Sequence, residues 1–236
     1  MTPSLHLSRL TLKKTSEITP LINVLQPAGR GDGIEADHRL IWTAMPEELQ
    51  KAHRLDRGGT AFLWRRDDRP GRYFVLGPRP RPDSSFFDIE TKPFEAHLAP
   101  GDRLEFVLRV NATVDRRSDG RDGKTERRDV AMDLLHPVAR NERADHRQEL
   151  AQKGATDWLA ARSEASGFRL ETLHLDGYRA VAIRRNRHKK PGQIGVFDLR
   201  GLVTVTAPDA FLDRLRTGFG RAKAFGCGLM LIRRAG

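Results

Sequence analysis

The segment Arg103–Val110 (RLEFVLRV) places an apolar residue at every second position over eight residues. Successive side chains of a strand point to opposite faces, so this spacing predicts a half-buried strand with one face on a core. Such a strand belongs in a sheet whose apolar face is covered by another layer. The remainder of the chain supplies segments of both kinds, and supplies them twice.

In the first half, Leu5, Leu7, Leu10 and Leu12 predict an opening strand whose alternation slips around Ser8-Arg9. Residues 26–32 (QPAGRGD) read as a loop. A helix is expected from near Ile34, because Leu40, Ile41, Ala44 and Met45 recur at helical spacing. Pro46 predicts a bend or a restart at Pro46-Glu47. Residues 60–65 (TAFLWR) and 72–76 (RYFVL), joined by DDRPG, predict a hairpin. Residues 83–87 are expected to form a helical turn before an extended stretch through Phe94.

Residues 97–101 (HLAPG) read as a linker, and Arg103–Val110 follows as the next strand. Residues 116–128 are polar, charged and glycine-containing, which predicts a mobile loop, with RNA contact as its second reading. An amphipathic helix is expected over 145–165, with Leu150, Trp158, Leu159 and Ala161 on its apolar side and Gly167 ending it. Strands are expected at 168–175 and 178–185, turning at Asp176-Gly177, a favoured hairpin dipeptide. A further strand over 193–206 carries a break at Arg200-Gly201. Pro208-Asp209 opens a short helix with Phe211, Leu212 and Leu215 inward, and 229–232 closes the chain as a strand.

Each half thus reads β-α-β-β-α-β. The fold class expected is α+β, two tandem ferredoxin-like (RRM-like) domains, an arrangement shared with RNA-recognition modules. The boundaries expected are 1–97, a linker at 98–102, and 103–236. At roughly 100–200 residues per domain, the 236 residues suit this division.

Charge narrows the partner. Lys and Arg number 42 against 31 acids, a formal net charge of +11. Of the 42, 33 are Arg, whose planar fork suits bidentate phosphate contact and base stacking. A genome's base composition can raise Arg over Lys, but it does not produce the net charge, and the balance points to nucleic acid. One cysteine, Cys227, excludes an intrachain disulfide framework and a cysteine-based zinc cluster. No apolar run approaches the ~18 residues a membrane span needs, and residues 1–14 lack the apolar core of a signal peptide. The expectation is a soluble cytoplasmic protein.

Residues 217–231, TGFGRAKAFGCGLML, carry Gly218, Gly220, Gly226 and Gly228 around Arg221 and Lys223. A glycine-rich loop lets backbone approach phosphate closely, and the two cations can supply counter-charge. It follows a helix and enters the last strand, so it is no dinucleotide-binding fingerprint. A tight helix-to-strand connection without a ligand is the other reading of the spacing. With the LHLSRLTL strand, the DHRLIW segment and the KPFEAHLAPGDRLEFVLRVN junction, this motif resembles the CRISPR-associated endoribonucleases of the CasE family. Members are the crRNA-processing subunits of type I-E systems.

The resemblance implies an enzyme that cuts CRISPR repeat hairpins in precursor crRNA without a metal or other cofactor. The ribose 2′-OH attacks its own 3′ phosphate, leaving a 2′,3′-cyclic phosphate and a 5′-OH. The enzyme then stays on the hairpin as a subunit of a type I-E interference complex. His38, in Asp37-His38-Arg39 at the start of the first helix, stands where the family places its catalytic histidine. Imidazole suits proton transfer near neutrality, and Arg39 beside it can face a phosphate. Glu35 occupies the place of the family's tyrosine and Thr43 that of its lysine. A non-catalytic hairpin-binding subunit of a ribonucleoprotein is therefore the alternative, and a basic structural protein without hairpin specificity a third reading.

The RNA-binding residues expected are Arg39, then Arg184, Arg185, Arg187, His188, Lys189 and Lys190, and Gly218, Gly220, Arg221, Lys223 and Gly226 of the terminal motif. Residues 184–190 hold no acid in a chain that elsewhere mixes signs, and they sit between two expected strands. Shape and phosphate contact dominate recognition of double-stranded RNA, which suits such a tip. Trp42, Trp64 and Trp158 lie on amphipathic patterns and are expected in the core. Cys227 is expected to pack rather than react.

Overall fold

The computed structural model describes residues 4–16, 18–21, 32–55, 60–117, 125–183 and 192–236. Contacts divide the chain into two compact units. The first is built on residues 4–96 and also takes Ala222–Leu229 from near the C-terminus. Its elements are β1 His6–Leu12, α1 Asp32–Trp42, α2 Glu47–Leu55, β2 Leu63–Arg66, β3 Arg72–Gly77 and β4 Phe87–Pro93. The sheet runs β2-β3-β1-β4, and each neighbouring pair is antiparallel.

Ser8 explains the slip in β1. With Leu10 and Leu12 it lies on the core face, 1% exposed, and its hydroxyl is satisfied by the Thr91 hydroxyl at 2.9 Å. Leu40, Ile41, Ala44 and Met45 bring α1 onto this face, where Phe62, Trp64, Tyr73, Val75 and Phe87 complete the core. Pro46 cannot continue α1, and the chain restarts as α2 at Glu47. No helical turn forms at 83–87: a turn at 82–83 leads directly into β4, so this unit has helices in only one of its two crossovers.

The second unit contains β5 Arg103–Val110, β6 Thr113–Arg117, β7 Thr125–Asp129, α3 Val130–Leu135, α4 Arg143–Ser163, β8 Phe168–Ile183, β9 Gly192–Val205, α5 Pro208–Thr217 and β10 Met230–Arg234. Its main sheet is ordered β10-β5-β9-β8. Counted by the strands of each sheet, both units run fourth, first, third, second, the order of a ferredoxin-like sheet. Leu104, Phe106, Leu108 and Val110 of β5 are buried, as the spacing predicts, and so are Ala155, Leu159, Phe211 and Leu215 of the helices.

Four sequence expectations fail in this unit. Asp176-Gly177 is no hairpin: β8 runs through it, Gly177 keeps a negative φ, and Asp176 instead pairs with Arg200 across the sheet at 2.9 Å. Arg200-Gly201 is no break in β9. A Cβ on Gly201 would lie 2.0 Å from the Thr172 carbonyl oxygen, so the glycine admits a close neighbouring backbone. Part of 116–128 is a hairpin, β6 paired with β7, and 118–124 lie outside the described residues. On α4 the inward face is Ala151, Gly154, Ala155, Trp158 and Leu159, while Ala161 is exposed. No helix among the described residues is long and apolar enough to cross a membrane.

Candidate active site

Asp37 fixes the orientation of α1. Its carboxylate is fully buried, accepts from the Tyr73 hydroxyl at 2.6 Å and is paired with the Arg66 guanidinium. A charge leaves water only when it is paired and hydrogen-bonded, so this contact ties α1 to β2 and β3. The next residue, His38, is turned by about 100° around the helix axis. It lines a cavity of about 240 Å³ with Trp42, His53, Thr60, Ala61, Phe62 and Ala224.

Trp42 stands one turn after His38 and donates its Nε1–H to His38 Nε2 at 3.2 Å. Indole N–H is a donor only, so Nε2 carries a lone pair and the neutral ring holds its hydrogen on Nδ1. The ring is edged by Phe62 at 5.6 Å between centroids and lies parallel to Trp64 at 6.2 Å. Burial, with a smaller contribution from the nearby His53, pushes the His38 pKa down to about 4. His53, on α2, stacks on the other side of the site, 4.5 Å from the Trp42 ring. The arrangement offers two imidazoles in one small cavity, which is equipment for proton transfer.

The terminal glycine-rich segment divides. Gly218, Gly220 and Arg221 belong with the second unit, where Arg221 bridges Asn111 and a Cβ on Gly220 would lie 2.7 Å from the Val110 side chain. Ala222–Leu229 belongs with the first unit. There the turn Lys223–Phe225 packs on α1 and β2, which puts Ala224 in the cavity wall. Gly226 has φ +72° and faces the Trp64 ring, 3.2 Å from where its Cβ would be. At 220 and 226 the glycines therefore meet an internal packing requirement.

Among the residues expected to act, the structure gathers His38 and the Lys223–Gly226 turn about one cavity, with Arg39 exposed on the neighbouring face of α1. Arg184, Arg185, Arg187, His188, Lys189 and Lys190 lie outside the described residues, between β8 and β9 in the chain. Cys227 is fully buried, Trp64 is core, and Trp158 is core with its Nε1–H given to the Thr113 carbonyl. Sequence reasoning missed His53, whose one signal was its spacing of four from the inward Leu49. It also read Trp42 as core alone, although the i, i+4 relation to His38 was available.

The chain resembles known proteins along most of its length. A family described as "CRISPR associated protein" matches residues 5–234. The CRISPR-associated endoribonuclease Cse3 of Thermus thermophilus is 30% identical over 213 residues, 80% of this chain and 88% of that protein. Thermus thermophilus Cse3, solved bound to an RNA representing a pre-cleavage complex, superposes with a TM-score of 0.63 at 23% identity, over 98% of this chain and 99% of that one. Cas6e of Escherichia coli superposes with a TM-score of 0.62 at 19% identity, over 98% and 100%. These two structures share the tandem ferredoxin-like fold with this chain.

Proposed function

This chain belongs to the CRISPR-associated protein family, and on that premise we propose that it is a metal-independent endoribonuclease that cleaves CRISPR repeat hairpins in precursor crRNA. The observation that carries this reading is the neutral, half-buried His38 imidazole with its Nε2 lone pair directed at a hydrogen-bond donor inside a small cavity. A neutral imidazole is the form that accepts a proton.

In the proposed reaction His38 Nε2 takes the proton of the ribose 2′-OH. The 2′ oxygen attacks the adjacent phosphorus and the P–O5′ bond breaks. The products are a 2′,3′-cyclic phosphate and, once O5′ has received a proton, a 5′-OH. Trp42 holds the lone pair that the 2′-OH must reach, so productive binding exchanges one donor for another. Arg39 and Lys223, the chain neighbours of the cavity-lining His38 and Ala224, are the cations proposed to meet the phosphate charge, which is where preorganised electrostatics act. Arg184, Arg185, Arg187, His188, Lys189 and Lys190 are proposed to hold the hairpin stem. After cleavage the protein stays on the hairpin and joins an interference complex.

The test is incubation with a repeat hairpin from the same genomic locus in EDTA, with both product ends identified. A 2′,3′-cyclic phosphate and a 5′-OH support the proposal. Hairpin bound but intact would favour the non-catalytic subunit, a reading motivated by Glu35 and Thr43 at the family's tyrosine and lysine places.

A further inference from the structure

The reaction moves two protons, and His38 accounts for one. A neutral ring whose lone pair Trp42 gives up on binding takes the 2′-OH proton; O5′ needs a donor of its own as the P–O5′ bond breaks. Glu35 and Thr43 stand where the resemblance would lead one to look for it. Tyr73 is occupied in the core, giving its hydroxyl hydrogen to Asp37, and Tyr178 gives its own to Asp129 at 2.9 Å. Neither of the chain's two tyrosines faces the His38 cavity.

The cavity itself supplies the candidate. Of the residues that line it, His38 and His53 are the titratable ones; the others are Trp42, Thr60, Ala61, Phe62 and Ala224. Trp42 touches both imidazoles, hydrogen-bonding His38 with its N–H and stacking on His53 with its ring planes 20° apart. The two histidines come from successive helices, α1 and α2, that restart at Pro46, so their separation is set by rigid elements rather than a loop. His53 is close enough for its charge to act on His38.

We propose that His53 is the second proton-transfer residue of this cleavage, giving its proton to the departing O5′ while His38 takes that of the 2′-OH. This rests on the proposed function above. The balance is closed: the 2′-OH proton ends on His38, the His53 proton ends on O5′, one P–O bond forms and one breaks. Water then exchanges the two protons back between turnovers.

A bridging 5′-sulfur in place of O5′ separates this role from a structural one, because a thiolate leaves without protonation. Single-turnover cleavage is measured at saturating protein on the oxygen hairpin and on the 5′-phosphorothiolate hairpin, for wild type, His53→Ala, His53→Phe and His38→Ala. His53→Phe keeps a flat ring against Trp42. Both His53 variants should cut the oxygen hairpin about 10²–10⁴-fold more slowly and the sulfur hairpin within a few-fold of wild type. His38→Ala should stay slow on both. Oxygen-hairpin cleavage at the wild-type rate, or equal slowing of His53→Phe on both hairpins, overturns the assignment. Wild-type protein that leaves the oxygen hairpin intact overturns the proposed function instead, and is seen before any variant is made.

Discussion

The Tyr73 hydroxyl donates to the Asp37 carboxylate at 2.6 Å inside the first unit's core, one residue before His38. Arg66 approaches the second carboxylate oxygen from the partly exposed end of β2. A fully buried carboxylate thus holds two donors from two strands, and the helix that carries the site is registered against the sheet by that contact. It also accounts for a tyrosine that takes no part in the chemistry proposed for its neighbour.

Asp37→Ala removes the acceptor from both donors. Arg66 can return to water, but a buried hydroxyl left without its partner costs about 1–3 kcal/mol, and that is the loss expected in urea unfolding. Asp37→Asn keeps the shape and one acceptor, and should cost less. If Asp37→Ala unfolds at the wild-type midpoint, the contact does not hold α1.

His38→Ala should slow single-turnover cleavage by about 10²–10⁴-fold and leave hairpin affinity within a few-fold of wild type. Taking a neutral group out of a cavity wall removes chemistry and leaves in place the cations proposed to meet phosphate. Undiminished cleavage would remove His38 from the mechanism.

The same histidine makes folding stability depend on pH with a definite sign. Its folded pKa is lowered to about 4 from an ordinary 6.5, so between those values the unfolded chain binds the proton more readily than the folded one. Its contribution is fully present above pH 6.5 and is lost as pH falls toward 4, to a limit of about 3 kcal/mol. His38→Gln should flatten the stability curve in that window. A variant curve parallel to wild type from pH 7 to pH 4 would refute the shift.

Much of this architecture was legible because it depends on short-range pattern. Period-two spacing located β5 to the residue, helical spacing located α1, and Pro46 located its restart. The errors came where a partner distant in sequence decides a local question. Asp176-Gly177 suits a turn, yet Arg200 on the neighbouring strand pairs with Asp176 and the strand continues. His38 was legible as a candidate through its motif alone: the sequence suggests an exposed helix start, but α1 begins at Asp32 and carries His38 half-buried in its second turn. His53 was not, because its relation to Trp42 exists only once α1 and α2 have folded back on each other, and nothing in EELQKAHRL marks one histidine as facing another.

Gly226 gives a packing test of the terminal motif. Its φ of +72° is strained for any residue with a Cβ, by about 1–2 kcal/mol, and the Trp64 ring stands 3.2 Å from the Cβ position. Gly101, at φ +89°, has nothing within 4 Å of its Cβ position. Gly226→Ala should therefore destabilise more than Gly101→Ala and shift Trp64 fluorescence. Equal losses with unchanged fluorescence would show that Trp64 does not require the glycine.

Affinity and chemistry should divide between the basic stretch and the His38 cavity. Residues 184–190 carry the densest net positive charge in the chain and no acid, and they are remote in sequence from His38. Removing one cation that neutralises a phosphate lowers the log–log salt slope of binding by roughly 0.7–0.9. Replacing Arg185, Arg187 and Lys189 together by glutamine should weaken hairpin binding and flatten that slope by about two units, while saturating protein still cuts near the wild-type rate. The measurement is hairpin affinity across several salt concentrations beside single-turnover cleavage at saturation. Unchanged affinity and slope would make the stretch a solvated loop. Unchanged affinity with an abolished cleavage rate would place it in the chemistry, against the division argued here.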